Sequence, residues 1–300
     1  MQARRWLSWC GETLASVQSV VFESGHLSGV YGARLRDGRD VVVKVRRWEP
    51  RLVGCAQVQQ ALWEAGFPCP RVLAGPDRLG DLAISAEAMV VGGTQLLEEE
   101  EKAERFAVLF ARLLRLAPQA DDVAPVRPAL PWTAWDHGGA ALWPEPDEAV
   151  GDLNELTPDW LDDVAHRARA RLCANREAEV LGHGDFESQN IRWVGTDALV
   201  VHDWDSVVAR PECTLVGLAA AVFAATGAPG AATVADSDAF IAAYEAARAV
   251  RFTVEQRRDA WAAGLWVRAF NAKKRVARGL DPSPDLTIDE AHARSRNAGL

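Results

Sequence analysis

The stretch Leu181-Gly182-His183-Gly184-Asp185-Phe186-Glu187-Ser188-Gln189-Asn190-Ile191-Arg192-Trp193, followed by Leu199-Val200-Val201-His202-Asp203-Trp204-Asp205, decides how the rest of the chain is read. Short apolar runs alternate here with polar turns, so strands are expected at Glu179 to Leu181, Ile191 to Val194 and Ala198 to Val201. Asp185 precedes Asn190 by five residues, and Asp203 directly follows the third strand and His202.

Working outward, the chain before this stretch begins with strand signals. Val17 to Glu23 and Val30 to Arg36 flank the loop-like segment Ser24-Gly25-His26-Leu27-Ser28-Gly29-Val30-Tyr31-Gly32; the Asp37-Gly38 turn then leads into Val41-Val42-Val43-Lys44-Val45. Leu52 to Ala65 has helical spacing, stopped at Gly66 and followed by Pro68 and Pro70, and Arg71 to Leu73 and Leu82 to Val91 read as strands. Glu98 to Leu116 reads as a helix whose acidic first turn, Glu98 to Glu101, suits the helix dipole. Pro118 to Pro158 is rich in proline and tryptophan and reads as an irregular insertion. Beyond it, helices are expected at Asp159 to Asn175, Leu215 to Ala225, Ser237 to Ala247 and Val254 to Arg278. The order predicts an α+β, two-lobed chain: a strand-rich lobe over 1–91 and a mainly helical lobe over 92–300, with a ligand cleft between them.

Phosphoryl transfer requires a carboxylate beside the attacking hydroxyl and oxygen ligands for Mg²⁺. The quoted stretch supplies both, with the Asp-to-Asn spacing of a protein-kinase catalytic loop. His183-Gly184-Asp185 with Asn190, then an apolar strand ending in Asp203-Trp204, resembles the aminoglycoside phosphotransferase family within the protein-kinase-like superfamily. The resemblance implies a bilobal fold and a small-molecule kinase, with a Mg-nucleotide, ATP or GTP, as donor. It implies that Asp185 is the catalytic base, that Asn190 and Asp203 are Mg²⁺ ligands, and that His183 and Asp205 support the site from behind or, for Asp205, occasionally at the metal. It places Lys44 on the α- and β-phosphates and the backbone around Ser28 and Gly29 over them; a lysine among valines is costly to bury without an anion. Arg46 and Arg47 read as ordinary surface charges. The family pattern pairs the lysine with a helical Glu, but Cys55 or Gln57 falls near that place, leaving Glu49, Glu64 or no partner. An acidic residue frequent after the metal motif is replaced by Leu215-Val216-Gly217-Leu218-Ala219, and the adenine-holding hinge is expected near Glu87 to Val91.

The resemblance implies a small-molecule hydroxyl as acceptor, with an antibiotic such as an aminoglycoside or macrolide, an amino sugar and a choline-like alcohol all open, and a cationic group compatible with the net charge. Trp132, Trp135, Asp136, His137, Trp143, Glu145, Asp147 and Glu148 offer aromatic faces beside carboxylates, although tryptophan packing that pins the insertion is the more ordinary role. Trp261, Trp266 and Asn271 lie on the last long helix. Two other readings use the same residues: a metal-dependent hydrolase built on His183, Asp185, His202 and Asp203, and a nucleotide-binding pseudokinase lacking the lysine's partner.

The 300-residue composition, 49% hydrophobic, suits one large core or two lobes. A net charge of −9 argues against non-specific nucleic-acid binding. The five scattered cysteines form no C-x-x-C pair and read as buried thiols. No membrane span or secretory signal is evident, so a cytoplasmic location is expected.

Overall fold

A computed structural model describes residues 5–25, 28–97, 101–227, 231–249 and 251–300. Five strands, β1 (Val17–Gly25), β2 (Gly29–Leu35), β3 (Asp40–Arg47), β4 (Val72–Leu79) and β5 (Leu82–Ala88), form an antiparallel sheet in the order β1-β2-β3-β5-β4. Gly38, at φ 89°, makes the Asp37-Gly38 turn between β2 and β3, as its freedom from a Cβ permits. The expected glycine-rich loop is mostly sheet: Gly25 pairs with Gly29, and Gly29 also faces Val45 on β3. A Cβ on Gly25 would meet the Ser28 carbonyl at 2.4 Å, so the hairpin tip closes only around glycine. His26 and Leu27 lie outside the described residues.

The two faces of β3 have different neighbours. Val41 and Val43 pack with Trp6, Trp9 and Cys10 of α1 (Arg5–Thr13), a helix absent from the expectations because its apolar positions are few. The period of two sends Lys44 and Arg46 to the opposite face, towards α2 (Arg51–Glu64). That helix is shared between the lobes: it lies in the strand-rich third of the chain, yet Cys55, Val58 and Leu62 belong to the core of the helical region. Arg51, 1% exposed, anchors it by donating to the carbonyls of Asp205 (2.6 Å) and Val207 (2.5 Å).

The second part contains α3 (Lys102–Leu116), α4 (Asp159–Ala174), α5 (Glu212–Val222), α6 (Val234–Arg248), α7 (Val254–Ala277) and α8 (Ile288–Ala298). Two small ribbons stand before them: β6 (Glu179–His183) with β9 (Val207–Pro211), and β7 (Ile191–Val194) with β8 (Asp197–Val201). Residues 118–158 carry only short 3-10 turns, matching the expected irregular insertion. The apolar run in α5 is explained by its burial against α7: a Cβ on Gly217 would lie 1.9 Å from the Ala260 carbonyl, so the helices cross where no side chain fits. Helix α3 starts at Lys102, later than expected, and Glu98 to Glu100 lie outside the described residues. Strand β5 ends at Ala88, before the expected Val91. Helix α8 and strand β9 were not foreseen, because one is strongly polar and the other is too short for its period to register. Among the described residues no helix is long and apolar enough to cross a membrane.

Candidate active site

Strand β6 delivers His183 to the start of the loop, and the two glycines around it allow close packing. The Gly184 N–H donates to the Ser206 carbonyl at 2.7 Å, and a Cβ on Gly182 would reach Leu215 at 2.8 Å. His183 is buried, with both ring nitrogens on backbone groups: Nδ1 accepts from the Asp185 N–H (3.1 Å), so Nε2 carries the proton to the His202 carbonyl (2.9 Å). Burial pulls its pKa down despite the nearby Asp203, which keeps the ring neutral. It ties the loop of Asp185 to the segment of Asp203, while the Asn190 carbonyl, accepting from the His202 N–H at 2.8 Å, adds a second tie.

Asn190 spans back to Asp185, its Nδ2 donating to the Asp185 carbonyl at 2.9 Å and to its Oδ2 at 3.0 Å. This fixes the amide with its oxygen turned away from Asp185. Asp203 has φ 66° and ψ 47°, a left-handed conformation costly for a residue with a Cβ, and its Oδ2 accepts from Ser206 Oγ at 3.1 Å. Asp185 is pushed up to about 6, first by burial and then by the charge of Asp203. Glu187, not singled out from the sequence, lies beside Asp185 and is raised by burial and by that neighbour.

These groups open on a cleft of about 950 Å³, lined on one side by Ser24, Gly25, Ser28 and Arg46 and on the other by Asp185, Asn190 and Asp203. Gly29 sits beside this tip within the sheet. Lys44 lines a smaller cavity of about 40 Å³ behind it, between the sheet and α2. Its carboxylate partner is neither Glu49 nor Glu64 but Glu87 of β5, at 3.7 Å. Lys44 stands opposite Ser85 in the ladder, and Glu87 is two residues further on the same face. Helix α2 contributes Gln59, whose Nε2 donates to Glu87 Oε2 (3.0 Å) and to the Pro70 carbonyl (2.9 Å), so an amide bridge replaces the helical carboxylate. After Glu87 the Ala88 and Met89 N–H groups go to Arg71 and Asp40, and the chain leaves the sheet before Gly92 and Gly93, both at positive φ.

The far wall of the cleft is the least legible in the sequence. Trp132 lines the cleft and its indole donates to the Gly184 carbonyl at 2.7 Å, steadying the catalytic loop. Trp135 and Trp143 are core: Arg210 lies 4.6 Å over the former, and the latter donates to Asp162 at 2.6 Å. Asp136 is engaged by Arg210, and Trp261 and Trp266 are buried. One stripe of α7, Val267, Asn271, Lys274 and Arg278, forms the cleft wall. Glu148 pairs there with Lys274 (3.3 Å) and with Arg278. The amphipathic period of α7 contained this stripe, but only the tertiary arrangement shows which side meets the cleft.

The donor set fits Mg²⁺: the Asn190 amide oxygen and the Asp203 carboxylate are hard oxygen ligands, too few to hold the ion without phosphate oxygens. A hydrolase centre on His183, Asp185, His202 and Asp203 is not favoured, since His183 has both nitrogens engaged. Among the described residues no group of three or more His, Cys, Asp or Glu is arranged to hold a metal.

Solved structures similar over nearly the whole chain share this fold. Aminoglycoside phosphotransferase APH(4)-Ia, in a thermostable form with ADP and hygromycin B, matches at TM-score 0.60 and 15% identity, covering 98% of this chain and 96% of its own. The amicoumacin kinase hAmiN with AMP-PNP, Ca²⁺ and Ami matches at TM-score 0.64 and 12% identity over 100% and 92%. A putative fructosamine-3-kinase from Thermobifida fusca matches at TM-score 0.56 and 18% identity over 98% and 99%. No curated protein sequence matches. The sequence model of the phosphotransferase enzyme family (APH) matches residues 18–258, which contain the sheet, the Asp185 loop and the Asp203 segment, and the chain belongs to that family.

Proposed function

We propose that the protein transfers the γ-phosphate of a Mg-nucleotide, ATP or GTP, to a hydroxyl of a small molecule. Residues 1–91 hold the nucleotide, and residues 92–300 supply the catalytic loop and acceptor wall. The observation that carries this reading is the meeting of Asp185, Asn190 and Asp203 on one wall of the cleft, facing the β1–β2 tip. The nucleotides held by the similar kinases support a nucleotide donor, and their hygromycin B and amicoumacin ligands support a small acceptor.

Asp185 accepts the hydrogen bond of the acceptor hydroxyl and takes its proton as the oxygen attacks the γ-phosphorus; the bond to the β–γ bridging oxygen breaks and the nucleoside diphosphate leaves. Asn190 and Asp203 would hold the metal, which would offset charge on the phosphates. Lys44, aimed by Glu87, anchors the inner phosphates, while the backbone at Ser28 and Gly29 covers the chain of phosphates. His183 and Asp205 support these groups from behind, His183 by holding the two loops together. The acceptor lies between Trp132 and the α7 stripe, near Asp147 and Glu187, carboxylates able to receive a cationic group, while Glu148 is taken up by Lys274 and Arg278.

Incubation with ATP or GTP and a panel of aminoglycosides, other antibiotics, amino sugars and choline-like alcohols, read by mass spectrometry, should reveal an added phosphate on one class. Absence of nucleotide binding together with turnover of phosphoesters would refute the assignment.

A further inference from the structure

Lys44 is not the only cation that β3 turns inward. Arg46 is two residues on, so it shares the Lys44 face of the sheet, and its side chain is only 17% exposed. Its position along the strand differs in a way that matters. Val45 lies opposite Gly29, so Arg46 stands at the level of the hairpin tip, whereas Lys44 lies one step nearer the hinge. Arg46 accordingly lines the large cleft together with Ser24, Gly25, Asp185 and Asp203 as well as the small cavity behind, whereas Lys44 lines the small cavity alone.

Its partner is Asp205, two residues beyond Asp203, and the pair joins the two sides of the cleft. The pair leaves something unfilled. Asp205 Oδ2 meets Arg46, but Oδ1 is buried with no hydrogen-bond partner, and so is Nε of the adjacent Arg51. Oδ1 is an acceptor that lacks a donor, so Asp205 holds the guanidinium through one oxygen only, and a phosphate can compete for it. A planar guanidinium beside the base and the metal ligands is the side chain best shaped to grip a terminal phosphate through two oxygens.

We propose that Arg46 is the binding residue for the terminal phosphate of the nucleotide, and that Asp205 holds its guanidinium ready until the nucleotide arrives. The inference rests on the kinase reading above and divides the labour on β3: Lys44 serves the inner phosphates and Arg46 the transferred one.

Calorimetric titration of the full chain with Mg²⁺ plus AMP-PNP or ADP, and with GMP-PNP or GDP in parallel, separates these roles. Arg46→Met, which keeps the aliphatic stem, should weaken the triphosphate analogue by about tenfold or more while leaving the diphosphate within about twofold. Arg46→Lys keeps the charge without the fork and should fall between Arg46→Met and the wild type, which preserves the test should Arg46→Met fail to fold. Lys44→Ala should weaken both nucleotides. Equal losses for di- and triphosphate in the Arg46 variants, or none, overturn the proposal and leave the kinase reading intact. Wild-type protein that binds no nucleotide removes this inference together with the kinase reading.

Discussion

The catalytic loop and the inner face of β3 are both organised around a few charged groups, but they are built in different ways. In the loop the decisive bonds are local: Asn190 reaches five residues back to Asp185, the Asp185 N–H reaches two back to His183, and Ser206 reaches three back to Asp203. On β3 the partners are remote, Glu87 for Lys44 and Asp205 for Arg46. Local bonds leave a fixed spacing that can be read in the chain. Remote pairs leave none, because register and lobe packing choose the partner. The partner can therefore come from another element, as where Gln59 and Glu87 together occupy the place beside Lys44 that the family pattern gives a helical carboxylate.

The sharpest test of the local half is Asp185→Asn, which retains the hydrogen bond geometry but removes the base. Turnover should fall by about 10²–10⁴ while nucleotide affinity survives, as steady-state rates and calorimetry on the same preparation would show. Transfer at the wild-type rate would break the assignment of the loop.

A smaller effect is expected from withdrawing the metal. Asn190 and Asp203 are too few to hold the ion alone, so metal and nucleotide should bind together, the nucleotide at least about tenfold tighter with Mg²⁺ than with chelator, equivalent to about 1.4 kcal/mol. Equal affinity in both buffers would count against these two ligands.

The remote half is tested by comparing carboxylates. Glu87→Ala should lower turnover about tenfold, the scale of one charge-assisted contact, through misplacement of Lys44, whereas Glu49→Ala and Glu64→Ala should leave it unchanged. If Glu64→Ala proved the damaging change, helix α2 and not β5 would position the lysine. The least effect belongs to Trp132→Phe, which removes the bond from the indole to the Gly184 carbonyl and one ring from the cleft wall. A loss of a few-fold in turnover and about 1 kcal/mol in unfolding stability is expected, measured by kinetics and denaturant titration.

The sequence by itself determined the elements whose signal lies within a turn or a strand: the hairpins, the long helices, and the His183, Asp185, Asn190 and Asp203 constellation with its spacing. It also pointed to Lys44, since a cation in a valine run announces that it needs an anion. Only the tertiary structure decided which anion, because the choice follows from β3 lying beside β5 in a particular register. The same holds for Arg46, whose alternation with Lys44 was present in the chain but whose meaning depended on which face α2 covered. The acceptor wall is the furthest case: Lys274 and Arg278 share a stripe with core-facing neighbours, and α7 acquires a cleft side only after α5 packs against it at Gly217. Periodicity gives the angle between residues on a helix, whereas the direction in which that angle points is fixed by packing against the rest of the molecule.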